Sequence, residues 1–545
     1  MPKNKAKTKV SPVWFLLVIG CAVAFALIIQ IPQWLHQMDP RAAGVLVQLN
    51  SDEDVYLARV EESLTGRPVQ TAEAIVGDPA LRGSQPALLE QVTGVLFSWT
   101  HWRAVSVLQL MDSVSVFLLF LCLVWFLRQC GFPRMVALVG TVFFCVIQLY
   151  NLNRPIHQGL SLVLLLAALD FLMAGRERRI FWGIPGAVLL GALFGDYFWN
   201  WSFGLAWVGI LILFDLVECA TSRRCSLAFK KSAPLLALAL ACSVPFLLQM
   251  ISIMTDPLAS EAVFRSGMHP GRLPESWVYS VLFAVMAGGV LFAFWQQPKK
   301  LRPYRYGIVT VLTAFVVIHQ QLLHGYVFNF VSHYLMPMVI AAIITLSLWH
   351  FLRNRALLAA ALAALVYLTA VAYDGRNVAS QFRIADRFGE QHLGSALAKL
   401  DELPRTTILS DPGTSAFIAG STQHNVVYSL YLKNVLMAHT EIAERYCATV
   451  VPLKSVDRHL KDQELIWPDA DGAFHSDPSV REREVAMVEE ACRKTDNKPR
   501  AALQKFHVQY VLWDEKRQPT WDLRRLRVVL NKVAVGEGWS LWSLK

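Results

Sequence analysis

Eleven apolar runs, most about 17–22 residues long, dictate how this chain can fold; they lie near 13–31, 105–127, 135–150, 157–174, 181–195, 202–219, 233–253, 277–295, 307–323, 334–352 and 356–373. In hydrocarbon each backbone N–H and C=O has to be paired within its own segment, so runs of this length read as membrane helices. The basic residues between them fall on alternate connections: Lys3, Lys5, Lys7 and Lys9; Arg128 and Arg134; Arg176, Arg178 and Arg179; Arg223, Arg224, Lys230 and Lys231; Lys299, Lys300, Arg302 and Arg305; Arg353 and Arg355. Counting eleven crossings puts every cluster on the side of the N-terminus. One missed or invented span would invert all later clusters, so the pattern predicts a cytoplasmic N-terminus and an external C-terminal segment. The runs at 135–150 and 181–195 are the shortest.

Hydrophobic residues make up 54% of the 545 positions and charged residues 17%, which is too apolar for a soluble chain around one core. The net charge of +10 is a topology signal rather than the footprint of a nucleic-acid binder. The first run is too long for a signal peptide and lacks a small-residue cleavage pattern, so it is expected to remain as a helix. Residues 1–373 thus read as a membrane domain, and 374–545 as an extracytoplasmic α/β domain of ordinary size. In that tail TTILSD followed by Pro412 and Gly413 reads as strand, turn and helix, while HVQYVLWD and GWSLWSL alternate as strands. Seven of the nine cysteines lie in spans or cytoplasmic loops, leaving Cys447 and Cys492 as a possible pair if the compartment is oxidising. The sequence shows no CxxC metal pattern, Walker loop or dinucleotide-binding glycine pattern, so nucleotide-driven chemistry finds no support.

With this topology the outer face receives the loop 32–104, which is far longer than a connector needs. Its stretch SDEDVYLARVEESLTGR, residues 51–67, carries an acidic triplet just beyond the first span and then runs on with helical spacing. This helix is expected to lie along the membrane surface. Asp52-Glu53-x-x-Tyr56 in that place resembles the signature of the GT-C superfamily of membrane glycosyltransferases. It is most similar to the lipid A aminoarabinose transferases and protein O-mannosyltransferases, and more distantly to oligosaccharyltransferase catalytic subunits. The resemblance implies a GT-C-like membrane domain that transfers a sugar from a polyprenyl-phosphate donor to a lipid, glycan or protein acceptor at the outer face.

The chemistry gives a separate reason for acids there. Inverting transfer needs a base for the acceptor hydroxyl, and Asp52 or Glu53 can serve. Asp54 with Ser51 also fits a capping box, and acids at a helix start are favourable in any case. Tyr56 and Arg59 follow on the helix; Arg59 either meets phosphate or pairs with an acid such as Glu62. The leaving lipid phosphate needs a cation, because a carboxylate alone would repel it.

The other outer loops offer partners for substrate. NLNRPIHQG places Arg154 and His157 at a membrane boundary, where Arg154 can equally snorkel to head groups. No acid occurs between Asn151 and Gly159, where oligosaccharyltransferase relatives carry an acidic metal-binding motif; no cofactor is therefore expected, and a divalent metal is doubtful. Asp196 stands among the interfacial aromatics of GDYFWNW, and anchoring does not explain it. Arg265 lies in the most cationic outer loop and is the first candidate for the phosphate, with Arg154 the second. His324, His333 and Tyr334 suit sugar or phosphate contacts, since their spacing forms no zinc pattern. Two other classes stay open: a lipid or glycan transporter, although no internal repeat is evident, and a non-enzymatic envelope assembly factor. Low Asn-x-Ser/Thr content in the tail favours a bacterial inner membrane.

Overall fold

The computed structural model describes residues 12–45, 53–66, 73–78, 81–222, 227–328, 331–381, 388–453 and 478–545. Among the described residues eight helices are long and apolar enough to cross a membrane: Pro12–Gln37, Ala104–Gln129, Ile156–Glu177, Phe198–Ala220, Phe229–Met254, Trp277–Gln296, Leu335–Leu352 and Leu357–Gly375. The other three apolar runs are also helical but short, over Arg134–Ile147, Ile180–Gly195 and Arg305–Val317. Length therefore supports eight crossings directly, and the full count of eleven rests on the charge pattern. The result is an integral membrane protein.

One continuous apolar core joins these helices, with Leu119, Phe120, Phe144, Phe283 and Ile344 all fully buried. Polar latches close the end that carries the arginine clusters. Arg176 is buried in an ion pair with Asp215 and donates to Ser232 Oγ at 2.9 Å. Gln129 Nε2 donates to Asp170 Oδ1 at 2.9 Å. Buried polar groups of this kind are tolerated because each has a hydrogen-bond partner.

The C-terminal unit is an α/β domain around a five-stranded sheet. Its strands are β3 (Thr407–Leu409), β4 (Asn425–Val426), β5 (Val508–Asp514), β6 (Leu530–Gly536) and β7 (Trp539–Leu544), in the order β4-β3-β5-β7-β6. The first two, β1 (Met268–Pro270) and β2 (Tyr326–Phe328), form a separate antiparallel pair between membrane-domain loops. β3 runs parallel to β4 and β5, and β7 is antiparallel to both β5 and β6. Asp411, two residues beyond β3, caps the helix Pro412–Ser421 by accepting from the Gly413 and Thr414 amides, the geometry that Ser-Asp-Pro-Gly favours. Cys447 and Cys492 are joined in a disulfide between the helices His439–Val450 and Pro478–Asn497.

The membrane domain grips this unit from several sides. The helix Arg355–Gln381 runs past the expected boundary at 373, over 27 residues, before the domain's own elements begin. Gln391 then accepts from Ala43 N at 2.7 Å and donates to Val45 O at 2.6 Å. Arg103 bridges Glu61 of the first loop and Asp401 of the C-terminal domain.

The helix Glu53–Leu64 is enclosed by protein rather than left open on one face. Leu57, Ala58, Val60, Glu61, Glu62 and Ser63 are all buried, because the helix is wedged between Leu88–Phe97, Ala104–Gln129 and Pro412–Ser421. Gly94 makes the first of these crossings close: a Cβ there would lie 2.2 Å from Ser63 Cβ. The neighbouring helix and its end expose Val92, Val95, Leu96 and Trp99 instead.

Candidate functional site

Arg154-Pro155 breaks the chain at the far end of the bundle, the end that the first helix reaches at its carboxyl terminus. The residue before a proline avoids helical dihedrals, and Arg154 sits at φ −120°, ψ 78°. Pro155–Leu160 then forms a π-helical turn that leads into Ser161–Glu177. His157 lies in this turn, buried. Such turns displace side chains from the regular helical register and recur at functional sites.

Three segments converge on His157. Glu90, from the helix Leu88–Phe97, accepts a bond from His157 Nε2 at 2.8 Å and from Arg59 Nη1 at 3.1 Å, both on Oε1. Tyr56 stacks on the imidazole with centroids 4.5 Å apart. Tyr56 and Arg59 are three residues apart and so share one helix face. Asp196, in the bend before Phe198–Ser222, completes the group: ligand-type atoms of Glu90, His157 and Asp196 all lie within 4.8 Å of one another. All three residues are buried.

Their electrostatics differ. Burial works against charge on Glu90, but His157 and then Arg59 outweigh it and hold the carboxyl at about 2. Burial dominates at Asp196; against the pull of His157 and weaker hydrogen bonding from Ser161 and the Tyr197 backbone, its carboxyl is raised to about 7, with Glu90 adding to the rise. Neither Asp196 oxygen has a well-formed hydrogen bond among the described residues, and Glu90 Oε2 has none. Buried orphaned oxygens of this kind are costly. Two carboxylates and one imidazole, with three orphaned oxygens, are a donor set that suits a divalent transition ion such as Mn²⁺ or Zn²⁺.

An aromatic and hydroxyl wall adjoins the cluster. Tyr197 packs edge-on to His157 at 5.3 Å, and its hydroxyl is 2.6 Å from His333 Nδ1. The Trp199 ring stands edge-to-face with Tyr334 at 4.9 Å, and the Tyr334 hydroxyl meets Ser202 Oγ at 2.6 Å and Gln320 Oε1 at 3.3 Å.

Of the residues singled out in the sequence, Tyr56, Arg59, His157, Asp196, His333 and Tyr334 thus come together. Arg154 opens the π turn and is half-buried. Asp52 lies outside the described residues, and Glu53 and Asp54 are described only as the first residues of their helix. Arg59 pairs with Glu90 rather than Glu62. Arg265 is placed otherwise than expected: it is fully buried and donates to the carbonyls of Lys433 at 3.3 Å and Val435 at 2.6 Å. Its fork grips the C-terminal domain, so it is not open to a phosphate. His324 is exposed, and its Nδ1 accepts from Tyr326 N at 3.1 Å.

Glu90 escapes a motif search because no neighbouring residue marks it. It is, however, the sole acid between Asp78 and Asp112 and interrupts the apolar run PALLEQVTGVLF. Residues 151–159 contain no acid of their own, and the acids beside His157 come from two other segments.

No family model matches the chain, and no curated protein matches it. Solved structures similar to it include ArnT from Cupriavidus metallidurans bound to undecaprenyl phosphate, at 12% identity and a TM-score of 0.49, covering 98% of each chain. The apo form of that protein aligns at 13% identity and a TM-score of 0.48, over 97% of this chain and 98% of that one. The Archaeoglobus fulgidus oligosaccharyltransferase tethered to an acceptor peptide aligns at 11% identity and a TM-score of 0.46, over 98% of this chain and 74% of that one.

Proposed function

We propose that the protein is a membrane glycosyltransferase that moves a sugar, with inversion, from a polyprenyl-phosphate donor to an acceptor at the outer face of a bacterial inner membrane. The observation that carries this reading is that one helix serves both halves of the site. It begins at Glu53, directly after Asp52, and it presents Tyr56 and Arg59 to the buried Glu90–His157–Asp196 cluster. The acidic motif and the polar cluster are then two parts of one site at the membrane boundary, where a lipid tail stays in hydrocarbon while its head group reaches the side chains.

In the reaction the acceptor oxygen attacks the anomeric carbon, Asp52 takes its proton, and the bond from that carbon to the phosphate oxygen breaks. Glu53 shares or supports the base role. Arg59 is the cation nearest the motif, and it replaces Arg265 as the candidate to meet the leaving phosphate. Glu90, His157 and Asp196 would hold a divalent cation, which when bound supplies charge to stabilise the phosphate. Tyr197, His333 and Tyr334 offer hydroxyl and ring contacts suited to a sugar.

The test is transfer by the purified full-length protein in lipid nanodiscs, supplied with polyprenyl-phosphate sugars. Asp52→Asn should abolish transfer while leaving expression and melting temperature unchanged. Undiminished transfer by this variant would remove the base assignment, and movement of intact lipid-linked sugar across the bilayer without any transfer would favour a transporter.

A further inference from the structure

His157 owes its position to an unusual local backbone. The amide of Gly159 donates to Arg154 O at 2.8 Å, five residues back, which closes the π turn. One extra residue in a helical turn rotates what precedes it by about 100° relative to a regular helix, and here it aims His157 at Glu90. The turn is pressed against the helix Ala104–Gln129 at one point. A Cβ on Gly159 would lie 2.8 Å from Ser115 Oγ, 3.0 Å from Ser115 Cβ and 3.3 Å from Arg154 O. Ser115 is fully buried with its hydroxyl bonded to Asp112 O at 3.0 Å, so turning the hydroxyl away breaks that bond and still leaves the Ser115 Cβ contact. The His157 ring itself is held by Tyr56 and Tyr197.

We infer that Gly159 and Ser115 form a size-matched pair that positions His157 in the cluster and thereby sets its affinity for a divalent cation. The affinity half of this inference rests on the reading of the cluster as a cation site; the positioning half does not. A side chain at 159 pushes the turn off the helix and carries His157 away from Glu90. Removing the side chain at 115 makes room for a methyl group at 159 and brings the ring back. Both are positioning residues, acting on the site through His157.

The experiment uses the full chain in nanodiscs with four forms: wild type, Gly159→Ala, Ser115→Gly and the double variant. Structures by electron cryomicroscopy should show the His157–Glu90 hydrogen bond lost in Gly159→Ala and present in the other three. Mn²⁺ titration by calorimetry should show affinity at least tenfold weaker in Gly159→Ala and within threefold of wild type in the double variant. An intact His157–Glu90 bond in Gly159→Ala, or a bond still broken in the double variant, overturns the inference. If Gly159→Ala does not fold, the double variant still decides: recovery of folding with the bond present supports the pairing, and failure to recover overturns it. Wild type that binds neither Mn²⁺ nor Zn²⁺ overturns the cation reading and the affinity half of the inference, while the structures judge the positioning half separately.

Discussion

Arg59 and Asp196 carry the sharpest consequences at the scale of single residues. Arg59→Ala removes a cation beside the proposed leaving group and should slow transfer about a hundredfold at saturating donor; a turnover within twofold of wild type would place the phosphate elsewhere. Asp196, raised to about 7 by burial, makes the site sensitive to pH near neutrality. Below 7 a proton competes with a cation for its oxygens, so Mn²⁺ affinity should fall by up to about tenfold per pH unit, and affinity that is flat from pH 5.5 to 8 would exclude Asp196 as a ligand. The two acids act oppositely on the stability of the cation-free protein. Asp196 in the fold holds a proton that the unfolded chain releases above its ordinary value of 3.8, so its stabilising contribution is present at low pH and lost as pH rises to about 7. Glu90, lowered to about 2 from 4.5, contributes above the unfolded value and loses that contribution as pH falls toward 2.

Among the elements, the short helix that ends at Arg265 is a brace for the C-terminal domain. Its guanidinium satisfies two carbonyls of the C-terminal domain, and truncation leaves acceptors unsatisfied at a cost of about 1–3 kcal/mol each. Arg265→Ala should therefore lower the melting temperature by several degrees while turnover per folded molecule stays near normal; a fall in turnover without a thermal shift would restore it to the substrate site. This case marks the limit of what the sequence discloses. Apolar period and basic flanks make the helices legible, and the strands Val508–Asp514 and Trp539–Leu544 follow from alternation. His157 and Asp196 stand out because a charged or titratable group at a membrane boundary needs a reason. An arginine in an outer loop looks the same whether it faces a ligand or a neighbouring carbonyl, because the difference lies in tertiary packing. Glu90 is silent for the same reason: its partners are 31 and 67 residues away in the chain.

For the whole molecule, sidedness is open to direct test. In a background without the free cysteines, maleimide should reach Arg178→Cys and Gly267→Cys from opposite faces; labelling of both from one face would break the topology. The disulfide Cys447–Cys492 closes a 45-residue separation within the C-terminal domain. Replacing both cysteines by serine should cost that domain about 2–4 kcal/mol, seen as earlier unfolding in denaturant with the membrane helices still intact; an unchanged midpoint would show the bond to be dispensable. The helix Arg355–Gln381 adds a geometric consequence. Its 27 residues measure about 40 Å along the axis, against about 30 Å of hydrocarbon. Crossing upright, it would leave roughly 10 Å of rod beyond the hydrocarbon, shared between its two ends. Residue count in that rod works as a spacer gauge: lengthening it by one full turn would lift its end of the domain by about 5 Å against the Gln391 and Arg103 ties, which hold the original clearance.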